Sequence, residues 1–94
     1  MKPRYWLERK VFARVVLDSV EGYGPGAGFG PIFVEVCHCL RSQRIIAPFQ
    51  LLPNKAMVAT ILYELVEAGV LALRNTCFIG GHGRQLQARW FMVA

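Results

Sequence analysis

The chain has 94 residues, of which 54% are hydrophobic and 18% charged, and its net charge is +5. That length holds one domain and excludes a multidomain enzyme with its own cofactor domain; the apolar balance excludes an intrinsically disordered chain. The eleven Lys and Arg are spread along the sequence, so there is no concentrated nucleic-acid tail.

No run reaches the roughly 18 apolar residues that a spanning helix needs, so no membrane partner is expected. The start, MKPRYWLERK, is charged where a signal peptide would carry its apolar core. Three cysteines are an odd set for a secreted disulfide framework. The expected setting is intracellular, in the cytoplasm.

Residues 4–20 are predicted as an amphipathic helix. Leu7, Val11 and Val15 follow at i+4, as do Phe12, Val16 and Val20, with Arg9, Lys10, Arg14 and Asp18 between them. Residues 22–31, GYGPGAGFGP, alternate five glycines with other residues and include two prolines. Such a run predicts a linker without a regular element. It is not a phosphate-binding loop. No Lys-Ser or Lys-Thr pair follows it, and none of its G-x-G groups has a glycine at the sixth position.

Residues 31–42 are predicted as a second helix, with Pro31 in its first turn and Phe33, Val36, Cys37 and Leu40 on one face. A strand is the rival, weakened by poor alternation. Residues 43–53 predict a short extended piece at 44–46, then a helix of one or two turns with Pro48 in its first turn, ended by Pro53. Residues 54–68 carry the clearest helical signal. Asn54 is a good N-cap, Val58, Ile61, Leu62 and Leu65 form a stripe, and Gly69 with Val70 supplies the C-terminal stop. Two strands follow, 70–78 and 84–93, around a glycine-rich turn. In the second, Leu86, Ala88, Trp90 and Met92 alternate with Gln85, Gln87 and Arg89. The expected organisation is an N-terminal helical arm at 1–21, a linker at 22–31 and one domain at 32–94.

Three stretches carry a resemblance. ILYELVEAGVLAL (61–73) looks like a recognition helix passing through an Ala-Gly corner into a strand, and GGHGRQLQARWFMV (80–93) like a glycine-tipped wing with its return strand. IIAPFQLLPNKAMVATIL (45–62) is similar to a helix-turn-helix unit. Together they resemble the winged helix-turn-helix domain of small transcriptional regulators of the MarR type, over about two-thirds of the chain. The resemblance implies an α+β fold, mainly α, with a three-helix core, a two-stranded hairpin wing and an extra N-terminal helix.

It also implies double-stranded DNA as partner and a homodimer. Helix 54–68 would enter the major groove, with Asn54, Lys55, Thr60 and Tyr63 toward the bases. Arg74, Arg84 and Arg89 would hold phosphates, and His82 would stand at the wing tip. Trp6, Leu7, Val11 and Phe12 would anchor the dimer. The sequence departs from the family pattern at Ala56, Met57 and Ala59, where polar residues usually stand, and Glu64 and Glu67 follow on the same helix. The alternative is a winged helix used for protein contacts through Met57, Ala59 and Tyr63.

No cofactor, metal, small-molecule ligand or catalytic activity is expected. On a helix Cys37 and Cys39 diverge by about 200°, no C-x-x-C occurs, and a Cys77–His82 pair has no third orienting group. A disulfide from Cys77 to Cys37 or Cys39 stays open.

Overall fold

A computed structural model describes residues 8–47, 49–80 and 83–93, and of 76–80 and 83–86 the backbone alone. The order is α1 (Arg9–Tyr23), β1 (Ala27–Gly28), α2 (Phe29–Ser42), α3 (Lys55–Glu67), β2 (Leu71–Gly80) and β3 (Gly83–Met92). The strands form one antiparallel sheet in the order β1-β3-β2. This is a small α+β fold, mainly helical.

Helix α1 buries Phe12, Val15, Val16, Ser19 and Val20, a stripe at i, i+3, i+4, i+7 and i+8. The Phe12–Val16–Val20 series is therefore core. Val11 remains 36% exposed, and residues 4–7 of the predicted helix lie outside the described residues. Because this stripe joins the common core, α1 is one of three helices and not an addition to three. The expected short helix after Pro48 is the one that is missing. Among the described residues no helix falls between Ser42 and Lys55.

The predicted linker is also corrected. Helix α1 runs on to Tyr23, and Ala27–Gly28 forms a strand on β3, with Ala27 opposite Trp90 and Gly28 opposite Arg89. Helix α2 starts at the next residue. The glycines allow the sharp passage: Gly24 and Gly26 take φ of 100° and 76°, which side chains with a Cβ rarely adopt. Gly26 also lies beside the Phe91 ring, 3.5 Å from where a Cβ would stand.

Helix α2 buries Ile32, Val36 and Leu40. The expected face is thus rotated slightly toward Ile32, leaving Phe33 and Cys37 half-buried. Its end replaces the expected extended piece at 44–46. The Ile45 N–H donates to Leu40 O at 3.1 Å and the Arg44 N–H to Arg41 O at 3.1 Å, the paired bonds of a Schellman cap. The left-handed position of that cap, usually glycine, is Arg44 with φ 55°.

Helix α3 follows expectation at both ends. The Asn54 side chain accepts from the Met57 N–H at 2.9 Å. At the other end, the Gly69 N–H donates to Val66 O at 3.0 Å and the Val70 N–H to Leu65 O at 2.9 Å. Val58, Ile61 and Leu62 are buried against the core. The chain then enters the hairpin, where Leu71 and Trp90 are buried while Arg74, Asn75 and Ala88 are exposed. Packing against the helices thus covers only the base of the hairpin among its described side chains.

Leu62, with no exposed surface, is expected to cost roughly 2–5 kcal/mol as Leu62→Ala; urea unfolding measures it. Arg44→Gly is expected to raise stability by about 1 kcal/mol, because it relieves a left-handed residue that carries a Cβ.

Candidate nucleic-acid interface

The exposed stripe of α3 is Ala56, Thr60, Tyr63 and Glu67, at i, i+4, i+7 and i+11. It presents two polar side chains, a methyl group and a carboxylate. Two of its hydrogen-bonding groups are already engaged locally. The Thr60 hydroxyl donates to Ala56 O at 2.9 Å, and Asn54 Oδ1 is held by the Met57 N–H. Thr60 retains acceptor capacity and Asn54 its amide donors. Lys55 is exposed at the helix start, and Tyr63 is 54% exposed.

Glu64 does not join that stripe. Its carboxylate pairs with the Arg9 guanidinium of α1. The acid that weighed against a DNA-facing helix is therefore partly neutralised and turned toward α1, whereas Glu67 remains on the outward face. Both partners of the pair are well exposed, so it contributes little stability.

The hairpin brings two predicted phosphate contacts together. Arg74 and Arg89 are direct cross-strand partners, hence on the same face. The Arg89 Nη1 donates to Gly26 O at 3.1 Å, and its Nη2 donates to Gln87 Oε1. Neither arginine has a carboxylate ion-pair partner among the described residues. A cavity of about 540 Å³ opens beside Arg89, lined by Tyr23, the first residues of α2, Gln87 and Trp90. Gln87 and the Gly26 carbonyl, which orient the guanidinium, were missed as site residues. The i, i+2 spacing of Gln87 and Arg89 on one strand face was the available signal.

Arg84 sits opposite Ile79 in the ladder, and its side chain lies outside the described residues, as does all of His82. Of the four expected dimer anchors, Trp6 and Leu7 also lie outside them. Phe12 is only 5% exposed and serves the core of its own chain, leaving Val11 at the surface.

Cys37 and Cys39 are free thiols. Burial pushes both thiols above their usual range; the Glu35 carboxylate, hydrogen-bonded to Cys39, adds to its shift. These are poor nucleophiles at neutral pH. No group of three metal-ligating side chains occurs among the described residues, and no helix there is long and apolar enough to cross a membrane. In comparisons with known proteins, no family model and no curated protein matches the chain.

Like charges on directly opposite residues of a ladder repel. Arg74→Glu is therefore expected to stabilise the fold by roughly 0.2–1 kcal/mol, read as a higher unfolding midpoint. An unchanged or lower midpoint would mean that the two charges do not interact.

Proposed function

We propose that this protein binds double-stranded DNA as a small winged-helix regulator. The observation that carries the reading is the Arg74–Arg89 pair: two cations held on one face of the hairpin, neither ion-paired to a carboxylate among the described residues. Opposed arginines lower stability unless an anion joins them, and a phosphate accepts the fork of a guanidinium directly. The element order and the sheet order β1-β3-β2 are compatible with a winged helix. One feature departs from a simple helix-turn-helix: residues 43–54 join α2 to α3, a far longer link than the usual turn of about three or four residues.

In this reading Lys55 and the polar groups of Asn54, Thr60 and Tyr63 approach the groove at the exposed side of α3. Arg74 and Arg89 contact the backbone, joined by Arg84 near the start of β3 and by His82, which lies outside the described residues. Three of the backbone contacts are arginines, whereas two of the four groups toward the bases, Asn54 and Thr60, are partly engaged within the helix, so binding is strong in its salt dependence and modest in sequence discrimination. A second copy would join through the N-terminal segment, where Val11 is exposed. A winged helix serving protein contacts is the other reading, favoured by the lack of any cation on the stripe Ala56, Thr60, Tyr63 and Glu67.

Fluorescence anisotropy with a duplex at several salt concentrations tests the proposal. Binding is expected to fall steeply with salt, Arg74→Ala to reduce the slope of log affinity against log salt by about 1, and Lys55→Ala to weaken binding. No binding at low salt, or identical slopes for both folded variants, would remove the groove and wing assignment.

A further inference from the structure

The connection between α2 and α3 exposes apolar side chains that neither the core nor the DNA reading uses. Phe49 is 88% exposed, Leu51 55% and Leu52 38%. Single apolar residues on a surface are ordinary, whereas three within four positions form a patch.

The patch stands on a built turn. The Gln50 N–H donates to Ala47 O at 3.0 Å, and the Gln50 side-chain oxygen accepts from the Ala47 N–H. Arg41 reaches over from the last turn of α2 and donates to Ala47 O and Gln50 O, each at 3.1 Å. A segment tied to its own helix in this way loses less freedom when something docks on it.

The surroundings are cationic. From Val36 to Tyr63 the sequence contains Arg41, Arg44 and Lys55 and no Asp or Glu, and all three cations are exposed. A cleft of about 370 Å³, lined by Arg41, Arg44, Ile46 and Ala47, adjoins the turn. Arg44 occupies its cap in a left-handed conformation that glycine would adopt more easily.

We infer that this turn is a docking surface for an acidic segment of a partner protein. Apolar side chains of that segment pack on Phe49 and Leu51, and its carboxylates face Arg44. Charge selects this occupant. A second copy of the same face would set like charges against each other across a two-fold axis. A nucleic acid would match the arginines but leave Phe49, Leu51 and Leu52 without apolar cover.

The test is to pan a random dodecapeptide phage library on the whole protein and to measure the best synthetic peptides by anisotropy. The peptides are expected to combine Asp or Glu with Leu, Phe or Trp. Phe49→Ala is expected to weaken them roughly tenfold or more, with Leu51→Ser as a second variant. Arg44→Gln is expected to weaken them mainly at low salt, and Val34→Ala, exposed on α2, to leave them unchanged. Phe49 lies in solvent, so far-UV circular dichroism is expected to be the same for its variant. Peptides without an acidic excess, or equal binding to Phe49→Ala, would overturn the inference. So would a Phe49-dependent dimer in sedimentation velocity, Phe49-dependent binding to phosphatidylserine-containing vesicles, or loss of duplex DNA binding in Phe49→Ala. Those three outcomes would assign the surface to a second copy, a lipid surface or DNA.

Discussion

The whole molecule hangs on the pairing of two residues, Ala27 and Gly28, with Trp90 and Arg89. Ala27 has no exposed surface, and the chain enters α2 immediately after Gly28. The hydrogen-bonded register of β1 therefore sets where the sheet lies relative to the helices. Trp90 multiplies that constraint. It is 4% exposed, sits between Ala27 and Leu73 across the sheet, and meets the ring of Phe29 at 6.1 Å. One side chain thus joins β1, β2 and the start of α2. On the opposite face the same register lays the Arg89 guanidinium across Gly28 and onto the Gly26 carbonyl. The arginine that the DNA reading needs is oriented by the element that closes the core.

Electrostatics then divides the surface. The hairpin carries Arg74 and Arg89 without an ion-pair partner among the described residues, while α3 turns Glu64 toward Arg9 and keeps Glu67 outside. The helix that a winged-helix reading places in the groove therefore carries one carboxylate, Glu67, and no cation on its outward stripe. The cations lie elsewhere, at Arg74 and Arg89 on the hairpin and at Arg41 and Arg44 around the end of α2. Phosphates draw most of their attraction from such flanking cations, and base edges are read by the few polar groups left on the helix.

What could be read in the sequence follows from what local chemistry encodes. The stripe of α3, its Asn54 cap and its Gly69–Val70 stop all appeared as expected, because each depends on residues within one or two turns. On β3 the expected faces held only in part: Trp90 is buried, but Ala88 and Met92 of the same face are exposed, while Gln87 and Arg89 on the other are half-buried. The strand β1 was hidden because two residues among five glycines have no periodicity; its only signature is a partner 63 residues away. The rotated face of α2 has the same origin: its contacts with α1 and the sheet select Ile32 over Phe33. At 43–53 the turn chemistry lay in the Arg41 side chain, which satisfies carbonyls six and nine residues later. No local propensity scale contains that bond. For the candidate site, all three hairpin arginines were legible as residues, whereas the direct opposition of Arg74 and Arg89 needed the register.

The proposed docking turn and the start of α3 are too close in the chain to act independently. Leu52 and buried Pro53 lead directly into Asn54, whose side chain caps α3, and exposed Lys55 follows. An acidic segment lying on Phe49 and Arg44 would bring its negative charge close to Lys55 and to any phosphate approaching that end of the helix. Both ligands are anionic, so their overlap is repulsive as well as steric. By linkage, whatever free energy the acidic segment removes from DNA binding, DNA removes equally from the segment. If both proposals hold, the segment on the turn and DNA at the helix start would compete through charge at Lys55 while each keeps its own contact surface.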